Sequence, residues 1–339
     1  MHGKFVGIFV RSLLGLILLG AGPVAAETVR VGFIPVAAVG QLFVIEGEGW
    51  AAAAGLDLKL TQFESGPAMI SALASGTLDA FYGGIGGLMV ASGRGIDVKV
   101  VAACAIGEMA MVSRGLLSKL VGDGDLITGL QAFQAKTGRR ARIASQPAGS
   151  VPDTVLRYWL TTVIKVPPSL YEIVGMGIEQ TQQALLAGVV DGAAIREPTL
   201  TLVLEREPTA KLLALGTQMM PNQPGSVLAV PGDFIRRRPE TVTKLVALHE
   251  RATRLLQEQP DRAALHLQKG LGLGILPVGV FRRALHSPTS VFEADPGRIR
   301  AATAVMQAFQ LELGVLTTPA DLDRLFDGTF YQRAMIVQR

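Results

Sequence analysis

The sequence is poor in the residues that most often carry catalysis or bind metals. Its single cysteine, Cys104, lies in the apolar run "VKVVAACAIG", so no internal disulfide can form. His2 lies near the N-terminus, and His249, His266 and His286 fall on predicted C-terminal helices, with no carboxylate or cysteine at ligand spacing. We therefore predict a cysteine buried in a core strand, no metal site, no cofactor and no catalytic residues.

Charged and aromatic residues are also scarce, at 18% and 6% of the 339 residues. The formal net charge is +4 and becomes +2 if a leader carrying Lys4 and Arg11 is removed. This balance gives no support for nucleic-acid binding. The run "GGIGG" at 83–87 lacks the spacing and the lysine of nucleotide-binding loops. Its glycines indicate a backbone that approaches a ligand or a neighbouring loop.

The first 26 residues have the pattern of a cleavable signal peptide. Lys4 and Arg11 are followed by the apolar run "LLGLILLGAG" and the small residues "PVAA". This run is shorter than the about 20 apolar residues that a membrane span needs. We predict cleavage after Ala26, no lipid anchor because no cysteine lies near that point, and a soluble exported product.

From Thr28 onward, short apolar strands alternate with helices, which predicts an α/β fold with mostly parallel sheets flanked by helices. The pattern occurs twice and is followed by helices alone, which we expect to brace the first unit. The predicted domains are a first lobe of residues 27–111 and 234–339 and a second lobe of residues 112–233. Short strand crossings near 107–112 and 226–233 should join the two lobes.

A short repeat marks corresponding places in the two units. The segment "ISALASGTLDAFYGG" matches "QALLAGVVDGAAI" 112 positions later, with Gly76 aligned to Gly188 and Asp79 to Asp191. Each glycine is expected to end a helix in the left-handed conformation. Each aspartate is expected at a strand start, away from the ligand, so the functional positions should lie where these strands end.

Several segments together carry a resemblance to a known family. They are the leader, "VRVGFIPVAAVGQLFV", "FESGPAMISALASGTLDAFYGG", "IASQPAGSVPDTVLRYWL" and "QQALLAGVVDGAAIREP". Over residues 28–260 the chain resembles the substrate-binding proteins of nitrate/sulfonate/taurine-type ABC importers. The resemblance implies a monomeric two-lobed periplasmic-binding-protein fold of type II that closes over its ligand and presents it to an inner-membrane permease with a cytoplasmic ATPase.

The resemblance also implies a set of ligand-binding residues in the loops of the cleft. These are Pro35, Val36, Ala37, Ser65, Gly66, Gly84, Ile85, Ser145, Gly149, Ser150, Gly175, Met176, Arg196 and Glu197. One position departs from the common pattern, because Arg196 stands where many relatives place an aromatic residue.

The chemistry of these residues points to the same loops. In open α/β sheets ligands bind beyond the carboxyl ends of the strands, where helix N-termini can bind anions. Ser65 and Ser150 could bind a ligand or serve only as N-caps. Arg196 could pair with an anionic group or face solvent. Glu197 could meet a ligand amine, anchor Arg196, or complement a helix dipole.

The favoured function is capture of a small organic anion or zwitterion, such as a sulfonate, taurine or a carboxylate, for an ABC importer. Nitrate or bicarbonate would need a smaller and tighter cleft. Two alternatives stay open: an enzyme on the same scaffold, of the pyrimidine-precursor or menaquinone-pathway type, and an exported receptor that reports to a sensor kinase.

Overall fold

The computed structural model of the chain describes His2 and residues 26–272 and 275–337. The predicted signal peptide, residues 1–26, lies outside this part apart from His2 and Ala26. Within the described ranges, no helix is both long enough and apolar enough to cross a bilayer.

Twelve strands are present in the described residues. They are β1 Glu27–Phe33, β2 Leu56–Gln62, β3 Ala80–Gly84, β4 Val98–Ala103, β5 Ala105–Ile106, β6 Ala110–Ser113, β7 Ala141–Ser145, β8 Tyr171–Gly175, β9 Gly192–Ile195, β10 Lys211–Leu215, β11 Ser226–Pro231 and β12 Val291–Phe292. They form a first sheet in the order β2-β1-β3-β11-β4, a second in the order β10-β6-β9-β7-β8, and a small β12-β5 pair.

Each large sheet contains four strands that run in one direction and one reversed strand. In the first sheet β11 is antiparallel to β3 and β4, and in the second β6 is antiparallel to β9 and β10. The reversed strand is in each case the one that follows a crossing from the other sheet. The predicted mostly parallel α/β architecture is therefore confirmed.

The α-helices cover the faces of these sheets and form the C-terminal part of the chain. They are α1 Gly40–Gly47, α2 Trp50–Ala53, α3 Gly66–Ala74, α4 Ile85–Gly93, α5 Gly115–Val121, α6 Leu126–Thr137, α7 Val151–Tyr158, α8 Ile178–Ala187, α9 Thr199–Arg206, α10 Gly216–Met219, α11 Gly232–Arg237, α12 Pro239–Glu258, α13 Pro260–Leu271, α14 Val278–Leu285, α15 Gly297–Glu312, α16 Leu322–Leu325 and α17 Thr329–Val337.

The repeat seen in the sequence has a structural basis in both sheets. Gly76 and Gly188 follow α3 and α8 with φ of 73° and 74°, as expected for left-handed helix ends. Asp79 accepts a hydrogen bond from the backbone N–H of Arg30 at 2.9 Å, and Asp191 accepts one from the N–H of Arg142 at 2.8 Å. The aspartates thus fix the start of β3 and β9 to the neighbouring strand, which confirms that they lie at strand starts.

The C-terminal helices brace the first lobe, as predicted, and also contact the second. Helix α12 packs on α1, and α17 packs on α12 and β4. In addition, α15 contacts α7, where the rings of Tyr158 and Phe309 meet edge to face at 5.2 Å. A further link joins α14 to α9 through the ion pair between Arg283 and Glu205. These helices therefore span both lobes.

The sheet to which each strand belongs indicates where the second lobe begins and ends. Strand β11, Ser226–Pro231, lies between β3 and β4 in the first sheet, whereas the predicted range 112–233 places it in the second lobe. Strand β6 lies in the second sheet from Ala110. We propose instead that the second lobe begins near Glu108 and ends near Gly225, because the crossings run from β5 to β6 and from β10 to β11.

A buried polar chain lies in the core of the first lobe. His249 is fully buried, with Nδ1 3.1 Å from the Tyr82 hydroxyl and Nε2 2.6 Å from the carbonyl oxygen of Ala103. Burial lowers the pKa of His249 to about 4. Cys104 is also fully buried, between β4 and β5 rather than within a strand, and burial raises the pKa of its thiol.

Candidate functional site

Two backbone segments from opposite lobes meet where β3 ends and where α7 begins. A Cβ added to Gly84 would lie 2.9 Å from Cγ2 of Val151, and one added to Gly86 would lie 2.7 Å from the carbonyl oxygen of Gly149. Real Cβ atoms essentially never approach so closely. Glycine at 84 and 86 therefore permits a contact between the lobes that a side chain would obstruct.

The turn before α7 is held by both lobes. Gly149 has a φ of 84°, in the region that favours glycine. Gln310 of α15 donates from Nε2 to the Gly149 carbonyl at 3.1 Å and to the Thr154 hydroxyl at 2.9 Å. Ser150 is buried, and its hydroxyl accepts from the N–H of Asp153 at 3.3 Å. The predicted N-cap role of Ser150 is therefore present in this arrangement.

A small pocket lies between the loop after β1 and the second lobe. The volume open to the centre of a water-sized sphere is about 20 Å³, room for about one water molecule, so a larger solute needs the lobes further apart than they are here. The lining residues are Val36 from the first lobe and Gln146, Ile178, Thr181, Ala194, Ile195, Arg196 and Thr199 from the second. The N–H of Ala37 donates to the carbonyl of Glu197 at 2.9 Å, which fixes the two sides of the pocket to each other.

Arg196 lines this pocket but does not offer a free charge. Its Nη1 lies 2.6 Å from Oε1 of Glu108, and both side chains are almost completely buried. Glu108 also accepts from the N–H of Ser226 at 2.9 Å and from its hydroxyl at 3.2 Å. The alternative in which Arg196 faces solvent is wrong, because its side chain is buried and is paired with the Glu108 carboxylate.

Glu197 serves the start of α9. Its Oε2 accepts from the N–H of Thr201 at 3.0 Å, and burial raises the pKa of its carboxyl group. It does not anchor Arg196, whose carboxylate partner in the described residues is Glu108. Of the roles considered for Glu197, the helix-start role is the one that the geometry contains.

The remaining predicted site residues divide into three places. Pro35, Ile85 and Ser145 lie near the ends of β1, β3 and β7, and Ser145 is fully buried with no hydrogen-bond partner for its hydroxyl among the described residues. Ser145 follows Ala144, which pairs with Ala193, so it stands beside the pocket residue Ala194 on the same face of the second sheet.

Ser65 and Gly66 lie at the start of α3, where Ser65 occupies the N-cap position without making a side-chain capping bond. The adjacent Glu64 accepts from the N–H of Glu179 at 3.3 Å, so this loop reaches the N-terminus of α8 in the other lobe. Gly175 ends β8, and Met176 follows it. The Met176 side chain packs with the second-lobe cluster and lines a surface hollow with Gln180, and it is not among the residues that line the interlobe pocket.

Several residues of the site were not predicted: Glu108, Gln310 and the pocket-lining residues Ile178, Thr181, Ala194, Ile195 and Thr199. Glu108 had a recognisable pattern, since it is the only acid in the apolar stretch 100–113, and an isolated acid in such a stretch suggests a buried partner. Gln310 lies on a C-terminal helix far from any motif, so its contact with Gly149 could come only from the tertiary structure.

The residues that line the pocket offer hydrogen-bonding groups of the kind that bind a solute. Among its eight lining residues there is one arginine and no cysteine, histidine or carboxylate. In the described part of the chain, no cluster of three or more His, Cys, Asp or Glu could hold a metal. The pocket can hydrogen-bond a small polar molecule through amide, hydroxyl and guanidinium groups.

Two lobes with four-plus-one sheets, joined by two crossings and facing each other across a pocket, define a periplasmic-binding-protein fold of type II. A model described as the NMT1-like family matches residues 22–268, and the chain belongs to this family. The resemblance to substrate-binding proteins of nitrate/sulfonate-type ABC transporters is thereby confirmed.

Individual relatives agree with this assignment. The chain is 28% identical over 272 residues to the nitrate import ATP-binding protein NrtC of Synechococcus elongatus, covering 76% of this chain and 40% of NrtC. It is 22% identical to the bicarbonate-binding protein CmpA of the same species, covering 80% of this chain and 63% of CmpA. The chain therefore spans less than two thirds of these curated relatives.

Solved structures share the fold at low identity. The periplasmic nitrate-binding protein NrtA of Synechocystis superposes with a TM-score of 0.80 at 14% identity, covering 92% of this chain and 89% of NrtA. The alkanesulfonate-binding protein SsuA of Xanthomonas axonopodis, bound to MOPS, superposes with a TM-score of 0.71 at 20% identity, covering 89% of this chain and 100% of SsuA. The desulfurization enzyme DSZB superposes with a TM-score of 0.62 at 14% identity, covering 92% of this chain and 100% of DSZB. The same fold therefore also occurs in an enzyme.

Proposed function

We propose that this protein is a periplasmic solute-binding protein that captures a small polar solute between its lobes and delivers it to an ABC importer with its permease and ATPase. The observation that carries the proposal is the pocket lined by Val36 of one lobe and Arg196 of the other. A solute that touches both lobes at once favours the closed form over the open one.

The solute we propose is a small organic anion or zwitterion, such as a sulfonate, taurine or a carboxylate. Arg196 lines the pocket, and its charge is balanced by Glu108. A zwitterion adds no net charge to this balanced pair, whereas a simple anion leaves one excess negative charge in a buried site. The Gln146 side-chain amide can donate to an oxyanion group of either class. The hydroxyls of Thr181 and Thr199 already donate to the Gly177 carbonyl and to Oε1 of Gln182, so they can only accept from a solute, for example from an amine.

The same proposal includes two further points: the predicted signal peptide directs export of the protein, and the protein binds its solute without catalysing a reaction. The binding role is supported by the composition of the pocket and by Cys104, whose thiol is fully buried and therefore out of reach of a solute. Names of the relatives, which include nitrate-, bicarbonate- and alkanesulfonate-binding proteins, support transport of a small solute.

A thermal-shift screen of residues 27–339 tests the proposal. The probes are taurine, ethanesulfonate, benzoate, nitrate, bicarbonate and a pyrimidine, each over a range of concentrations. A solute at about 100 times its Kd stabilises the native state by about 2.7 kcal/mol, which raises Tm by roughly 5 °C. We expect taurine or another zwitterion to give the largest rise. A flat response to all six probes would contradict the proposed solute class.

A further inference from the structure

A single carboxylate connects the pocket to both segments that join the lobes. Glu108 lies in the first crossing, between β5 and β6, and Ser226 ends the second crossing as the first residue of β11. The Glu108 carboxylate accepts from the N–H and the hydroxyl of Ser226 and from Nη1 of Arg196. We propose that Glu108 is a positioning residue that couples Arg196 in the pocket to the relative orientation of the lobes.

The surroundings leave Glu108 little freedom. Its side chain is 1% exposed, and a Cβ added to Gly225 would lie 2.8 Å from its Oε2, so the carboxylate fills the space beside the second crossing. A carboxylate in such a position requires charged or N–H partners, because water cannot replace them. Arg196 and Ser226 supply these partners from the pocket and from the returning strand.

Other contacts at the crossings are neutral and do not reach the pocket. The N–H of Gly107 donates to the carbonyl of Gln223 at 2.9 Å, and the N–H of Met109 donates to the Gln223 side chain at 3.2 Å. These bonds tie one crossing to the other. Among the described contacts, the Glu108 carboxylate is the group that joins both crossings to a residue that lines the pocket.

The coupling follows from this connection. Rotation of one lobe about the crossings changes the distance between Ser226 and Arg196, and Glu108 can keep both bonds only over a narrow range of orientations. A solute that binds Arg196 therefore acts on the lobe orientation through Glu108. The inference rests on the proposed closing of the cleft, and its test needs no solute.

The test measures the distance between the lobes by pulsed EPR. Spin labels are attached at Ala74→Cys on α3 and Ala135→Cys on α6, which are exposed, while Cys104 is fully buried and stays unlabelled. We expect Glu108→Gln to shift and broaden the distance distribution toward longer distances. The matched control is Glu207→Gln, which breaks the ion pair with Arg114 inside the second lobe, away from the crossings.

Both variants should lower Tm, and only Glu108→Gln should change the distribution. An unchanged distribution in Glu108→Gln would show a merely structural role and overturn the inference. If that variant does not fold, Glu108→Gln with Arg196→Gln removes both charges together and leaves no unpaired buried charge. The double variant should show the same shift, and a wild-type distribution would equally overturn the inference. Failure of the solute screen would refute the proposed function without altering this result.

Discussion

Substitution of Gly86 by alanine tests whether the two lobes close through direct backbone contact. The added methyl group would lie 2.7 Å from the carbonyl oxygen of Gly149 and 3.2 Å from the backbone nitrogen of Val151. Ordinary contacts begin near 3.4 Å, so the Gly149 turn would have to recede by about 0.7 Å in the closed form. Overpacking of this kind costs about 1–3 kcal/mol, which lowers the ratio of closed to open molecules roughly 5- to 150-fold.

The same substitution should not weaken the fold of the first lobe. Gly86 lies in the first turn of α4, where alanine is a better helix former than glycine by up to about 1 kcal/mol. Gly87 is the matched control, because a Cβ added there would lie 3.5 Å from Ile70 and would contact no residue of the other lobe within 4 Å. We expect Gly86→Ala to separate the lobes and Gly87→Ala to leave them together.

Pulsed EPR with labels at positions 74 and 135 measures the separation, and calorimetry measures the affinity for any solute that the thermal-shift screen identifies. Gly86→Ala should move the label distances outward and weaken binding by the factor given above. The reasoning would be refuted if Gly86→Ala and Gly87→Ala gave the same distances and the same affinity, since the glycine contact would then have no part in closure.

Three further predictions follow from other parts of the structure. In urea unfolding, Gly188→Ala should lower the free energy of unfolding more than Gly76→Ala. Both substitutions add left-handed backbone strain of about 1–2 kcal/mol, but only the methyl group at 188 would collide with Arg114. Equal losses of unfolding free energy in the two variants would contradict this prediction. The pKa of His249 is about 4 in the folded protein and 6.5 in the unfolded chain. The free energy of unfolding should therefore be greatest above pH 6.5 and fall by roughly 3 kcal/mol as the pH drops toward 4. Urea titrations of His249→Gln should lack this loss. Ser145→Ala should leave the solute-free stability unchanged or slightly higher and weaken solute binding by about 1–3 kcal/mol in calorimetry; unchanged binding would show that the hydroxyl does not contact the solute.

Most of the architecture could be predicted because it depends on local patterns. Alternation of apolar strands with helices fixed the α/β class, and the glycine and aspartate of the repeat marked a helix end and a strand start. The position of β11 could not be obtained in this way. Ser226–Pro231 is apolar and follows the second lobe in sequence, and only pairing with β3 and β4 places it in the first sheet.

The site was predicted less completely, for a related reason. The resemblance located the loops, and Val36 and Arg196 do line the pocket. Partners remote in sequence decide what each side chain does: Arg196 is 88 residues from Glu108, and Gln310 is 161 residues from Gly149. The sequence around Arg196 does not show whether its charge is paired, because its partner Glu108 lies in the first crossing between the lobes.

The position of β11 between β3 and β4 also sets the order in which the chain can complete its two lobes. All five strands of the second sheet come from the continuous segment 110–215, so that sheet can assemble as soon as this segment is available. In the first sheet, β4 pairs with β11 and not with the earlier strands, so it stays without its neighbour until residue 231 is present. A chain that folds from its N-terminus onward would therefore complete the second lobe before the first, although the first lobe begins earlier in the sequence.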